Sequence, residues 1–124
     1  METSPAPKDR KPLSHLPALM PLDPGTVHRY TMLQRAVKSL VKQGRFDDSL
    51  RLLEEMFTIA PEDAGLSKLK ARFAAEMIKQ AAQAQKISAA TKLVELVDTK
   101  LSPSHLGAQE KDLLAKAKAD LYSL

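Results

Sequence analysis

The segment KQGRFDDSLRLLEEMFTIAPED, residues 42–63, constrains the fold more than any other part of the chain. A single glycine, Gly44, precedes a run whose apolar residues Leu50, Leu53, Met56, Phe57 and Ala60 recur at intervals of three and four. That period places them along one side of an α-helix and is incompatible with a strand, where alternation would be required. Glycine ends a preceding helix cheaply by taking the left-handed conformation, and Pro61 cannot continue a following one. The segment therefore predicts a helical hairpin.

The same period continues on both sides. A first helix is expected over about Thr26 to Gln43, with Thr26 as N-cap and Tyr30, Leu33, Val37, Leu40 and Val41 on its buried stripe. The second is expected from Phe46 to Ala60. A third, from Asp63 or Leu66 to Gln85, is striped by Leu69, Phe73, Met77 and Ile78. A fourth, Ser88 to Leu101, carries Leu93, Val94 and Val97. A fifth runs from Ser104–Ala108 to Tyr122, with Leu113, Leu114, Ala117 and Leu121 inward. The expected class is all-α, five helices with short connections.

Six of the eight prolines (Pro5, Pro7, Pro12, Pro17, Pro21 and Pro24) fall in the first 24 residues. Proline lacks an amide donor and disfavours helix in the residue before it. Residues 1–26 are accordingly expected to be a disordered arm, and residues 27–124 a helical domain. The arm carries three acids and three bases, so the net charge of +4 belongs to residues 27–124.

Composition removes several classes of function. With no cysteine there is no disulfide, zinc–thiolate site or thiol nucleophile. No apolar run reaches the roughly 20 residues of a membrane span, and the prolines of PLSHLPALMPL interrupt any signal-peptide core. A soluble, cytoplasmic protein without contact to a membrane is expected. His15, His28 and His105 have no carboxylate at helical spacing, and the glycines stand singly, so neither a metal site nor a phosphate loop is suggested. No enzymatic activity and no cofactor are expected.

Within residues 42–63, Gly44 would make the interhelical turn, Phe46 fill the start of the second helix, and Ser49 let the helices approach. KQGRFDDS resembles the K-x-G-x-[YF]-x-x-A turn of the tetratricopeptide repeat, with Ser49 in place of alanine. With Pro61 at the terminal proline of that family, one unit of about 34 residues spans Tyr30 to Asp63. Leu33 stands where tryptophan is common, and Ala36–Val37 where leucine–glycine is usual. A weaker echo, KISAATKLVELVDTKLS at residues 86–102, aligns at an offset of 41: Ile87 with Phe46, Ala90 with Ser49, and Leu93, Val94 and Val97 with Leu52, Leu53 and Met56. The resemblance covers residues 30–102. It implies a short array of two antiparallel helical hairpins with the fifth helix as a cap, and a non-enzymatic adaptor or small chaperone that binds a partner segment in a concave groove.

In such arrays the first and third helices line the groove. The first helix and its turn hold Arg29, Arg35, Lys38, Lys42 and Arg45 without an acid; Lys68, Lys70, Arg72, Lys79 and Lys86 face only Glu76. The expected contact residues are Gln34, Lys38 and Lys42, at i, i+4 and i+8, with Arg35, Lys70 and Lys79 beside them. They would attract an acidic or amphipathic protein segment. Met32 lies off the main stripe and offers an adaptable apolar contact. The carboxylate clamp of chaperone-binding repeats uses asparagine, and this chain has none. Two further readings stay open. Basic helices can contact a nucleic-acid backbone, and the exposed edge of a short array can receive a second copy of the chain.

Overall fold

A computed structural model describes residues 22–124; the expected disordered arm, apart from residues 22–26, lies outside the described residues. Five helices follow one another: α1 (Pro24–Lys42), α2 (Phe46–Phe57), α3 (Ala64–Gln83), α4 (Ile87–Lys100) and α5 (Ala108–Tyr122), with one 3₁₀ turn at Pro103–His105 before the last. No strand occurs among the described residues. Helices α1 and α2 form one hairpin and α3 and α4 a second, and α2 packs against α4. Helix α3 is the central element, with α4 and α5 both laid along it.

The helix starts differ from expectation in an instructive way. Asp23, not Thr26, caps α1: its carboxylate accepts from the Thr26 amide at 3.1 Å and from the Thr26 hydroxyl at 2.7 Å. Pro24 then sits in the first turn, where no amide donor is needed. Residues 24–26 are therefore helix rather than arm. Leu22 packs against the core. Asp63 caps α3 in the same manner, accepting from the Leu66 amide at 2.7 Å.

The core runs through all five helices, with Val37, Leu53, Met56, Phe57, Met77 and Ile78 among its sealed side chains. Each side chain of this size stabilises the fold by roughly 1.5–3 kcal/mol on burial. Helix α3 presents Ala71, Ala74, Ala75, Ala81 and Ala82, all buried, so its neighbours can approach closely on more than one side. Two stripe assignments are corrected: Leu69 is 55% exposed and Leu113 40% exposed. Helix α2 also stops at Phe57, three residues before its expected end. Ala60 follows in the left-handed region at φ 43°, ahead of Pro61.

The two hairpin turns share one backbone conformation. Gln43 (φ −85°, ψ 1°) and Ala84 (φ −82°, ψ 1°) are followed by Gly44 at φ 77° and Gln85 at φ 59°. Arg45 (φ −92°, ψ 62°) and Lys86 (φ −89°, ψ 68°) then lead into the second helices. The closing bonds also match: Arg45 N–H to Leu40 O and Lys86 N–H to Ala81 O are both 2.8 Å. The offset-41 echo is thus a repeat of structure, with glutamine doing glycine's task. Its aromatic position is not repeated, because Ile87 is half exposed where Phe46 is buried.

A non-glycine residue in this region costs about 1–2 kcal/mol. Gly44→Ala should destabilise by about 1 kcal/mol through backbone strain alone, since an added Cβ meets no atom within 4 Å. Gln85→Gly should stabilise by about 0.5 kcal/mol, once the extra freedom of glycine in the unfolded chain is subtracted. Urea-denaturation midpoints of the two variants decide it: a shift of the same sign in both would contradict the shared turn.

Candidate functional site

The first turns of α1 and α3 line one hollow and their later turns another, so an open groove runs between the two helices along their shared direction. Two adjoining hollows make it up. One, of about 400 Å³, is lined by Leu22, Val27, Tyr30, Thr31, Gln34 and Lys38 from the α1 side and Leu66, Leu69, Arg72, Phe73 and Glu76 from α3. The other, of about 570 Å³, is lined by Arg35, Lys38, Ser39, Lys42, Glu76, Met77 and Gln80. Lys38 and Glu76 belong to both, so the groove is continuous.

The groove is differentiated along its length. Near the helix starts, apolar side chains from both helices predominate. Toward the helix ends, Arg35, Lys38 and Lys42 lie on α1 at one-turn intervals. Among the described residues none of these three has a carboxylate within ion-pair distance. Lys38 marks the join: its Nζ lies 5.9 Å from the centroid of the Phe73 ring across the groove, close enough for a cation–π attraction. Glu76, the acid in the groove, accepts from Gln80 at 3.2 Å.

Arg72 is fixed by α5 and spends its charge there. Its Nε and Nη2 donate to Glu110 Oε2 at 3.0 and 2.8 Å, and Nη2 also donates to Gln109 Oε1 at 2.9 Å. Glu110 is buried at 3% exposure, and its other oxygen accepts from the Gly107 amide at 2.9 Å, closing the start of α5. The Arg72 hydrogen bonds hold the Glu110 carboxyl below its usual range, with burial opposing them and the Gly107 amide helping. A lowered acid stabilises the fold above its unfolded value and loses that contribution as pH falls through the folded one.

The expected contact residues divide between the groove and elsewhere. Gln34, Arg35, Lys38 and Lys42 line it together. Lys79 is exposed but does not line it, and Met32, 50% exposed, is not among the lining residues but stands only about 20° around α1 from Ser39, at the edge of the groove. Lys70 is corrected outright. It is completely buried, and its Nζ donates to the carbonyls of Phe57, at 3.2 Å, and Ile59. Burial lowers its pKa, with the Asp63 carboxylate acting in the opposite direction. Lys70 caps the end of α2 and cannot meet a partner. Ser67, one turn before it, is also sealed and lies 3.3 Å from His105 Nδ1. Leu69 and Phe73 were missed as groove residues because the third helix's period identified a stripe without revealing that α1 leaves one side of it uncovered.

Tyr30 forms part of the groove wall, and its hydroxyl is buried without a hydrogen-bond partner among the described residues. Burial pushes its pKa up to about 12. An acid raised in this way keeps its proton when folded but loses it from about pH 10 when unfolded, so stability falls as pH rises from 10 towards 12. Tyr30→Phe should gain about 1 kcal/mol at neutral pH by removing an unsatisfied donor and should lose less stability in that alkaline window. Denaturation midpoints at pH 7 and pH 11 test it; an equal alkaline loss in both proteins would rule Tyr30 out as the titrating group.

Among the described residues, no helix is long and apolar enough to cross a membrane, and no group of three or more histidines and acids could hold a metal ion. Compared with models of protein families, with curated proteins and with solved structures, the chain matches none.

Proposed function

We propose that this protein is a tetratricopeptide-like interaction module, an adaptor or small chaperone that holds a segment of a partner protein between α1 and α3. The observation that carries the reading is the α1–α3 groove, where three cations without carboxylate partners stand beside an exposed leucine and phenylalanine-lined wall. The repeated hairpin supports the family likeness: the same turn recurs at residues 43–45 and 84–86, and the small residues Ser49 and Ala90 are buried at equivalent places.

A nucleic-acid partner would be drawn by the same cations. It is the weaker reading, because Tyr30, Phe46, Phe57 and Phe73 are buried, and the exposed Tyr122 does not line the groove with the cations, so no platform for stacked bases stands beside them. A pull-down from nuclease-treated lysate distinguishes them, comparing wild type with Lys38→Glu/Lys42→Glu; both lysines are exposed, so the variant should fold. Loss of a protein partner in the variant is expected. Retention of the same partner would move the site away from the groove, and material recovered only without nuclease would favour nucleic acid.

A further inference from the structure

We infer that the groove takes a bipartite segment, with a cluster of apolar side chains followed or preceded by a cluster of acids, rather than an evenly charged or evenly apolar one. This rests on the groove being the binding surface and specifies what it selects. From Val27 to Lys42 the wall is about 22 Å long at 1.5 Å per helical residue. That length fits about 15 residues of helix or about seven of extended chain. The half bounded by Leu22, Val27, Leu66 and Leu69 offers apolar contact, and Leu69 stands 55% exposed there. The half bounded by Arg35, Lys38 and Lys42 offers positive charge; Glu76 lines the same hollow, but no described carboxylate stands within ion-pair distance of these three cations.

Each half discriminates against the other's ligand. An acid among Leu66, Leu69 and Val27 would lose hydration without gaining a partner. An apolar residue beside Arg35 and Lys42 would leave those charges unmatched. Arg72, which also lines the apolar half, is already engaged by Glu110 and Gln109. Lys38 can serve either half, since its amine reaches over Phe73 and its stem lies along the wall. Specificity then comes from the order of side chains along the segment, and a complementary charge pattern also rejects wrong partners.

The test uses the full chain and four fluorescent synthetic peptides of about 15 residues, read by anisotropy. One has a leucine- and phenylalanine-rich half joined to a glutamate-rich half; the second interleaves the same residues. The third is acidic throughout, and the fourth joins the apolar half to lysines. The segregated apolar–acidic peptide should bind at least about tenfold more tightly than the others, a difference of about 1.4 kcal/mol. Leu69→Glu and Lys42→Glu, both at exposed positions, should each remove about tenfold of that binding. Equal affinity for the segregated and interleaved peptides, or indifference to Leu69→Glu, would overturn the inference as general charge attraction. Failure of every peptide, with a pull-down partner still dependent on Lys38 and Lys42, would overturn the bipartite preference and leave the groove reading standing. Peptide binding unaffected by any groove substitution would overturn both.

Discussion

Lys70→Ala is expected to destabilise the protein by about 3–4 kcal/mol, and Lys70→Met by only about 1–2. Lys70 is a charged residue enclosed at the junction of α2 and α3, where its amine satisfies the carbonyls of Phe57 and Ile59. Alanine removes both hydrogen bonds and most of the side-chain volume, leaving a cavity and two carbonyls without donors. Methionine keeps the volume and loses only the donors, so the difference between the variants measures packing. The pH dependence has a definite sign. Because burial lowers the Lys70 pKa, the unfolded chain binds more protons over the interval below 10.5, and Lys70 opposes folding less as pH rises through that interval. Lys70→Met should lack this rise. Urea titrations at pH 7 and pH 9.5 provide both comparisons; an alanine variant as stable as wild type would show that α2 needs no cap from α3.

Ala90→Leu should cost about 2–3 kcal/mol. Ala90 is fully buried at the start of α4, in the position that Ser49 holds at the start of α2. In both hairpins the second helix begins immediately after the tight turn, so the first residues to face the neighbouring helix are held at a fixed, short distance. Three extra heavy atoms cannot be accommodated without opening the hairpin. Ser49→Ala, by contrast, should be nearly neutral, within about 0.5 kcal/mol. The serine hydroxyl donates to the Phe46 carbonyl within its own helix, at 2.6 Å, and the methyl fills almost the same space. Thermal midpoints of the two variants would test the equivalence: a tolerated leucine at residue 90 would mean that the second hairpin does not pack as the first does.

The five helices were legible because each carries its own apolar period and most are separated by glycine or proline. The turn at Gln85 was not, because nothing marks a glutamine as left-handed; its conformation follows from two helices of fixed length packing on either side. The start of α1 was misplaced because both Asp23 and Thr26 can cap, and the choice depends on whether Leu22 finds a core to pack against. For the groove, the i, i+4, i+8 spacing set Gln34, Lys38 and Lys42 on one side of α1, and these three line the hollows together with Arg35. It could not tell that Lys70 turns inward while Leu69 beside it turns outward. Adjacent residues differ by about 100° around a helix, and α3 is covered on so many sides that the remaining open face is narrow.

The groove itself is tested most directly by photocrosslinking. A photoreactive residue would be placed at Ser39, exposed on the groove wall, and separately at Glu54, exposed on the side formed by α2 and α4. The partner should crosslink from Ser39 and not from Glu54. Crosslinking from Glu54 alone would contradict it and place the interaction on the opposite face.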